Sequence, residues 1–452
     1  MAMALAMAKT ETKRALVVGL GLTGYSCVRY LAALGYATTV VDTRREPPKL
    51  EALKREFPQI AVHTGDLPPA LFDDPGMLVV SPGMSVRHPE IARALDNGVP
   101  VVGDIELFAR QVTAPVIAIT GSNGKSTVTA LTGEMCRLAG LKTAVGGNIG
   151  VPALSLLEQP VPDVYVLELS SFQLELTASL NARAATVLNI TPDHLDRYRD
   201  IEEYAAAKAR IFRGNGTLVL NADDPWVMRM CLSGRRMVSF NLGQPLAAQD
   251  YGLTERNGET WLARGLQLLM PTRDVPLAGR HNLANVLAAM ALAEAAGIAP
   301  EATCVAVRGF KGLKHRTELV AEHLGVRWYD DSKGTNVGAT VAALNGMTAP
   351  VILIAGGDGK GQDFNELKIA CRKHARAVVL IGRDAPQIEA ALGGVMAVRR
   401  AKDMHDAVRI AHELAQTGDV VLLSPACASF DMFRNYEHRA EVFRKAVREV
   451  VA

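Results

Sequence analysis

The sequence predicts an α/β protein built from three successive strand-and-helix units. Two observations carry this. Short apolar runs rich in Val and Ile recur along the 452 residues, and most end on Gly, Asp, Ser or Pro before a stretch with helical spacing. That is the pattern of buried parallel strands joined by crossover helices. Two of those strand ends are also glycine turns leading into helices, the local geometry that cradles phosphate.

In the first unit, Ala15 to Val18 reads as a strand, followed by Gly19-Leu20-Gly21-Leu22-Thr23-Gly24 and a helix through Leu34. A strand from Thr38 to Val41 ends on Asp42, and one from Met77 to Val80 ends on Ser81-Pro82-Gly83. This is the dinucleotide fingerprint with its acid about twenty residues downstream. Alone it predicts a nicotinamide or flavin enzyme. A Rossmann-like domain with no dinucleotide is at least as good a reading, because such turns bind many nucleotide-bearing ligands and a second phosphate loop follows.

The second unit comes after Val101-Val102-Gly103 and opens on Pro115-Val-Ile-Ala-Ile-Thr-Gly-Ser-Asn-Gly-Lys-Ser-Thr127. Val116 to Ile119 is a buried strand, Thr120 to Gly124 a tight turn, and Val128 to Ala139 a helix with Leu131, Met135 and Leu138 on one face. Gly121 and Gly124 let backbone N–H groups approach an anion, and the helix N-terminus adds partial positive charge. Lys125 reaches the outer phosphates and the Ser126 hydroxyl can bind Mg²⁺. Ile119 stands where the full phosphate-loop pattern has glycine. Gly-Lys-Ser at a strand-to-helix junction still favours a nucleoside triphosphate over a chance turn.

Three more strands belong here. Val164 to Leu167 leads into Glu168, Ala185 to Ile190 into Thr191-Pro192-Asp193-His194, and Thr217 to Leu220 into Asn221-Ala222-Asp223-Asp224. Ligands sit beyond the carboxyl ends of parallel strands, so Glu168 and His194 are expected beside the phosphate loop. A carboxylate closing a buried strand needs a partner, and Mg²⁺ would serve; a salt bridge or a solvent-facing strand end is the alternative. A lone loop histidine is more often structural, though the strand end raises His194 above that. Lys208, in an alanine-lined helix, reads on its own as a solvated lysine, although one crowded by small residues could instead be drawn inward and modified.

Residues 240 to 280 read as an irregular strand region, and His281 to Ala296 as an alanine-rich helix stopped by Gly297. A third unit follows the junction near Gly312. Its strands Val351 to Ala355, Val378 to Ile381 and Val420 to Leu423 end on Gly356-Gly-Asp-Gly-Lys360, Gly382-Arg-Asp384 and Ser424-Pro-Ala-Cys-Ala-Ser429. The stretch Asp330-Asp-Ser-Lys-Gly-Thr-Asn336 reads either as a helix cap with surface charges or as part of an anion site. Lys360, Ser429 and Arg434 at two strand ends would suit a small dicarboxylate.

Composition narrows the function. Formal charge is +2, with 49% hydrophobic and 21% charged residues. This gives no general field for nucleic acid or an anionic membrane and favours a small-molecule enzyme. Six cysteines lie far apart without a Cys-x-x-Cys pair, which reads as reduced, mostly buried thiols in a cytoplasmic protein. The run Met1 to Ala8 resembles a signal core, but it is short and its charges follow it, so it reads as a loose terminus. Asn336 to Gly357 is uncharged yet broken by Asn345, Gly346 and Pro350, and reads as helix, turn and strand rather than a membrane span.

Taken together these segments resemble the bacterial Mur ligases. The matching stretches are Gly121-Ser-Asn-Gly-Lys-Ser-Thr127, Gly146-Gly-Asn-Ile-Gly150, Glu168-Leu-Ser-Ser-Phe-Gln173, Asp193-His-Leu-Asp-Arg197, Asn221-Ala-Asp-Asp224 and His281-Asn282. Asp331-Ser-Lys-Gly-Thr-Asn336, Gly356-Gly-Asp-Gly-Lys360 and Ser424-Pro-Ala-Cys-Ala-Ser429 point within the family to the member that adds D-glutamate. The match runs in order from Arg14 to the C-terminus.

The resemblance implies three domains: a Rossmann-like UDP-substrate domain (1–103), a central P-loop ATPase domain with a mostly parallel sheet (104–312), and a Rossmann-like C-terminal α/β domain for the amino acid (313–452). It implies a monomeric cytoplasmic ligase, without nucleic-acid or membrane partners, that joins D-glutamate to UDP-N-acetylmuramoyl-L-alanine at the expense of ATP. Gly121, Asn123, Gly124, Lys125, Ser126, Thr127, Asn282, Asn285, Arg316, Asp331 and Lys333 would hold ATP. Leu22, Thr23, Asp42, Thr43 and Arg44 would line the uridine end, Ser81 and Gly83 the diphosphate, and Asn148 and His194 the substrate carboxylate. Thr335, Lys360, Ser429 and Tyr436 would bind D-glutamate; Tyr436 stands where the family has phenylalanine. Two Mg²⁺ ions are implied, held by Ser126, Glu168, His194 and a carbamylated Lys208, with Lys125, Glu168, His194 and Lys208 as the catalytic set. The competing readings are a folylpolyglutamate-type ligase, which lacks the first fingerprint domain, a nicotinamide enzyme or nucleotide-sensing regulator, which leaves Lys125, Glu168 and His194 unexplained, and, last, a plain binding module.

Overall fold

The computed structural model describes residues 13–451, so the run Met1 to Ala8 lies outside the described residues. The strands form three sheets. The first holds β1 (Arg14–Val18), β2 (Ala37–Asp42), β3 (Ala61–Thr64), β4 (Leu78–Val80) and β5 (Val101–Val102), ordered β3-β2-β1-β4-β5 and parallel throughout. The order reverses beside β1, which opens a crevice at the carboxyl ends of β1 and β4. There the Ser81 hydroxyl donates to the Gly19 carbonyl at 2.9 Å. Gly24 is needed for that closeness: a Cβ on it would lie 1.8 Å from the Gly19 oxygen.

The central sheet contains β6 (Val116–Thr120), β7 (Thr143–Gly147), β8 (Val164–Glu168), β9 (Ala184–Val187), β10 (Thr217–Asn221), β11 (Met237–Phe240), β12 (Tyr251–Arg256), β13 (Glu259–Arg264) and β14 (Gln267–Pro271). Their order is β14-β13-β12-β11-β10-β9-β6-β8-β7. Every residue of β6 is buried, and helices cover both its faces, which is why a continuous Val-Ile-Ala-Ile run suits it. On one face the helices Lys125–Leu138 and Arg280–Ala295 pack through Val128, Leu131, Val286, Leu287 and Met290. The alanines of the second helix are buried over Ala288, Ala289, Ala291 and Ala293, so small side chains let it lie close. The other face shares one core with the first unit, including an edge-on Phe108–Tyr165 pair with centroids 5.2 Å apart.

The stretch 240 to 280 is more regular than expected. β12, β13 and β14 form an antiparallel meander on the edge of the parallel sheet. β9 is shorter than expected, ending at Val187, because Leu188 and Asn189 turn to brace the phosphate loop.

The third sheet holds β15 (Glu318–His323), β16 (Val326–Asp330), β17 (Val351–Gly356), β18 (Ala375–Ile381), β19 (Ala397–Arg400) and β20 (Val420–Leu423), ordered β15-β16-β20-β17-β18-β19. All pairs but β15–β16 are parallel. As expected, residues 336 to 357 form a cap, a helix (Val337–Gly346) and β17. Five cysteines are buried and Cys231 is exposed, all as free thiols. Among the described residues no helix is long and apolar enough to cross a membrane.

Candidate active site

The phosphate loop joins β6 to the helix Lys125–Leu138. Gly124 takes the left-handed conformation (φ 83°), and a Cβ there would lie 2.3 Å from the Asn285 amide oxygen. The Lys125 ammonium folds back onto the loop, donating to the Gly121 and Ser122 carbonyls at 2.8 and 2.9 Å. Asn189, expected within a strand, instead locks the loop from the side. Its amide oxygen accepts from the Asn123 N–H at 2.8 Å, and its amide nitrogen donates to the Asn123 carbonyl at 3.1 Å.

Glu168 ends β8 next to this loop and is 3% exposed. One carboxylate oxygen accepts from the Asn148 amide at 2.8 Å, while the other is buried without a hydrogen-bond partner. Burial pushes this carboxyl up, but Lys125, the Asn148 amide, Ser126 and Arg316 together hold it below its usual range. A buried ionised oxygen lacking a donor beside a buried hydroxyl suits a hard cation. Ser126 supplies that hydroxyl and accepts from the Arg316 guanidinium at 2.8 Å.

Of its two readings, Lys208 has the inward one in the structure. It is not solvated: it is 1% exposed, and its ammonium donates to the Gly121 carbonyl at 2.8 Å and lies 4.6 Å over the Tyr204 ring. Burial, reinforced by the charge of Lys125, pushes its pKa well down. The small alanines around it let the helix Ile201–Ala209 sit against the sheet, which draws the lysine inward.

His194 adopts a left-handed conformation (φ 57°) and packs on Phe172 with centroids 4.7 Å apart. Burial is the main cause lowering its pKa; Asp193 opposes this, and the charges of Lys360, Lys125 and Lys208 add to it. Lys360 belongs to the third unit, so His194 faces across the joint.

The third unit closes a narrow cleft of ≈ 60 Å³ against the phosphate loop. Asn123, Gly124, Thr127, Asn282, Asn285, Arg316, Asp331 and Lys333 line it. The Asn336 amide donates to Asn123 at 3.3 Å and to the Asp193 carboxylate at 3.0 Å. Asn336 also caps its helix, but the acids before it are not surface charges, since Asp330 and Asp331 are 0% and 8% exposed. Burial raises the Asp331 carboxyl to about 7 and lowers Lys333 to about 8.

A second cleft, of ≈ 450 Å³, lies where the first unit meets the central one. Leu22, Thr23, Asp42, Thr43, Arg44, Ser81, Gly83 and Asn148 all line it. Asp42 uses its own oxygens internally, accepting from the Leu20 N–H at 2.6 Å and from Arg44, so it shapes the glycine turn. Asn148 thus reaches both ways: it lines this cleft and holds Glu168.

The loops carrying Thr335, Lys360, Ser429 and Tyr436 follow β16, β17 and β20 and are bonded together. The Ala426 N–H donates to the Gly334 carbonyl at 3.0 Å, Asp358 bridges Ala428, and the Ser332 hydroxyl donates to the Tyr436 carbonyl at 2.9 Å. Lys360 is exposed, Ser429 buried, and the Lys333 ammonium lies 4.9 Å over the Tyr436 ring. Arg434 is exposed; the arginine that organises these loops is Arg439, 1% exposed, which donates to the Ser332 carbonyl at 2.7 Å and the Cys427 carbonyl at 3.0 Å. Nothing in the sequence marked it, because one arginine on an amphipathic helix reads as solvated.

A phosphate loop, a buried carboxylate with a free oxygen and a substrate-sized cleft joined to it by one asparagine define a nucleotide-dependent enzyme that works on a second ligand. Family comparison gives the particular class. Residues 13–103 match the Mur ligase MurD-like N-terminal domain, 119–293 the Mur ligase middle domain, and 315–427 the Mur ligase glutamate ligase domain. The chain belongs to the Mur ligase family, whose members are ATP-dependent. UDP-N-acetylmuramoylalanine–D-glutamate ligases from Nitrosococcus oceani and Methylobacillus flagellatus are each 55% identical to it, over 96% and 98% of both chains respectively. UDP-N-acetylmuramate-alanine ligase from Thermotoga maritima shares the fold at 18% identity, covering 97% of this chain and 99% of that one, with a TM-score of 0.60.

Proposed function

We propose that the protein is an ATP-dependent amide ligase that adds D-glutamate to UDP-N-acetylmuramoyl-L-alanine, releasing ADP and phosphate, in peptidoglycan precursor synthesis. The Asn148–Glu168 hydrogen bond carries this reading. It joins the cleft assigned to the UDP substrate to the buried carboxylate beside the phosphate loop, so a carboxylate at the end of that substrate would meet the γ-phosphate of ATP there. The relatives named for this reaction support the choice of substrates.

A carboxylate does not acylate an amine at neutral pH, so it must first be activated. In our reading Asn148 and His194 hold the substrate carboxylate while Lys125 swings from the loop carbonyls to the phosphates. Lys125 and Arg316 offset charge on the transferring phosphoryl group, which is mostly a matter of positioning and electrostatics. The carboxylate oxygen attacks the γ-phosphorus and ADP leaves, giving an acyl phosphate. The amine of D-glutamate, placed by Thr335, Lys360, Ser429 and Tyr436, attacks the acyl carbon, loses a proton, and phosphate departs.

Ser126 and Glu168 would hold one Mg²⁺, and His194 with a carbamylated Lys208 a second; when bound, these ions supply charge neutralisation. Lys208 fits carbamylation because its amine is buried and its pKa depressed, and the neutral amine is the form that takes up CO₂. In the same reading it acts as a monomer in the cytoplasm, with domains at 1–103, 104–312 and 313–452. The test is phosphate release from ATP with the UDP substrate and a panel of amino acids. Release should require both the UDP substrate and D-glutamate, and should vanish in Lys125→Ala with an unchanged melting temperature. Release with a different amino acid would reassign the Lys360 and Ser429 pocket; full activity in Lys125→Ala would refute the phosphate-loop assignment.

A further inference from the structure

Two loops that the proposed function assigns to opposite ends of one substrate are tied together by a side chain with no part in that assignment. Arg197 closes the turn that starts at His194, its N–H donating to the His194 carbonyl at 2.9 Å. Its guanidinium then reaches out of the central unit. One terminal nitrogen donates to the Pro82 carbonyl at 2.8 Å; the other donates to the Met84 carbonyl at 2.9 Å and the Glu175 carboxylate at 3.1 Å. Pro82 and Met84 flank Gly83 in the loop that lines the ≈ 450 Å³ cleft. The same guanidinium lies 4.0 Å over the ring of Phe172, the ring on which His194 packs.

The Arg197 side chain is 12% exposed and its Glu175 partner 15%, so these bonds are made away from bulk water and are worth more than a surface pair. A planar fork that stacks on an aromatic ring while serving three acceptors is a task for arginine and not for lysine. A second bridge, from Arg87 to Glu203, has its arginine 48% exposed and adds little.

We infer that Arg197 is a positioning residue that couples the Ser81–Met84 loop to the His194 turn, so that engagement of the diphosphate end orients the carboxylate end for phosphoryl transfer. The inference rests on the proposed substrate. A displacement of about 1 Å at a reacting centre costs on the order of 100-fold in rate, and among the described residues the first unit's other bonds at this turn, from Arg87 to the Arg197 carbonyl at 3.2 Å and to Glu203, are exposed.

The test compares binding of UDP and of UDP-N-acetylmuramoyl-L-alanine, together with binding of a non-hydrolysable ATP analogue and turnover, in wild type, Arg197→Gln and Arg197→Lys. UDP and the ATP analogue should bind within about twofold of wild type. The preference for the full substrate over UDP should fall about tenfold, and kcat about 100-fold. A merely structural role would instead weaken UDP, the ATP analogue and the full substrate together. If the glutamine variant fails to fold, the lysine variant carries the test, because it keeps the charge and the aliphatic stem without the fork. A preference kept by the variants, or lost in step with UDP and ATP-analogue binding, overturns the coupling alone. A wild-type protein with no preference for the full substrate overturns the functional reading, and the coupling with it.

Discussion

Lys208→Met probes the buried amine beside the phosphate loop. The ammonium is 1% exposed, and its main acceptor, the Gly121 carbonyl, also accepts from Lys125. Removing the amine leaves the Gly121 carbonyl its bond from Lys125 but takes away the 3.4 Å partner of the buried Thr120 hydroxyl, while methionine fills the space with apolar atoms. The folded-state pKa of Lys208 lies well below that of an ordinary lysine. Between that depressed value and the ordinary one near 10.5, the unfolded chain holds a proton that the folded protein lacks. Wild-type stability should therefore rise with pH in this window by up to about 1.4 kcal/mol per unit, while the methionine variant lacks this contribution. The variant's stability relative to wild type should therefore fall by up to about 2.7 kcal/mol over two units of rising pH. The measurement is urea unfolding in CO₂-free buffer at several pH values. Trp226 and Trp261, both in the central unit, report its transition in a Trp328→Phe background. Turnover should be lost. Parallel stability curves for the two proteins would refute the buried neutral amine.

Other outcomes follow from single contacts. Gly124→Ala should cost about 2–3 kcal/mol, from left-handed strain plus displacement of Asn285 from its 3.0 Å bond to Asn282; urea unfolding and ATP-analogue titration should show both losses. Asn148→Ala strips the Glu168 carboxylate of its amide donor, so the Mg²⁺ concentration for half-maximal activity should rise about 10- to 100-fold. An unchanged Mg²⁺ dependence would mean that Glu168 is oriented by something else.

The strands were legible where burial on both faces demanded an uninterrupted apolar run: β1, β6, β8, β17 and β20 lie where the sequence puts them within a residue or so. Edge strands were not. β3 and β19 are mostly exposed, so their residues carry no two-sided pattern. In the site, glycine spacing and strand ends revealed Gly124, Lys125 and Glu168, because those chemistries need local backbone geometry. Lys208, Asn189, Arg197 and Arg439 act through partners 12 to 115 positions away, and no local pattern records such a distance. The surface-cap reading of Asp330 and Asp331 failed for the same reason, since the segments that bury them come from elsewhere in the chain.

The ≈ 60 Å³ cleft at the phosphate loop has a kinetic consequence. Pockets for small ligands and cofactors span about 300 Å³ or more, so the third unit has to ease back from this cleft to seat ATP. The contacts that seat it, Arg316 to Ser126 and Asn336 to Asn123, occupy Arg316, Ser126 and Asn123, which are themselves assigned to the nucleotide. Entry therefore waits on an opening step, and the observed association rate should level off as ATP concentration rises, at a ceiling set by how often Arg316 lets go of Ser126.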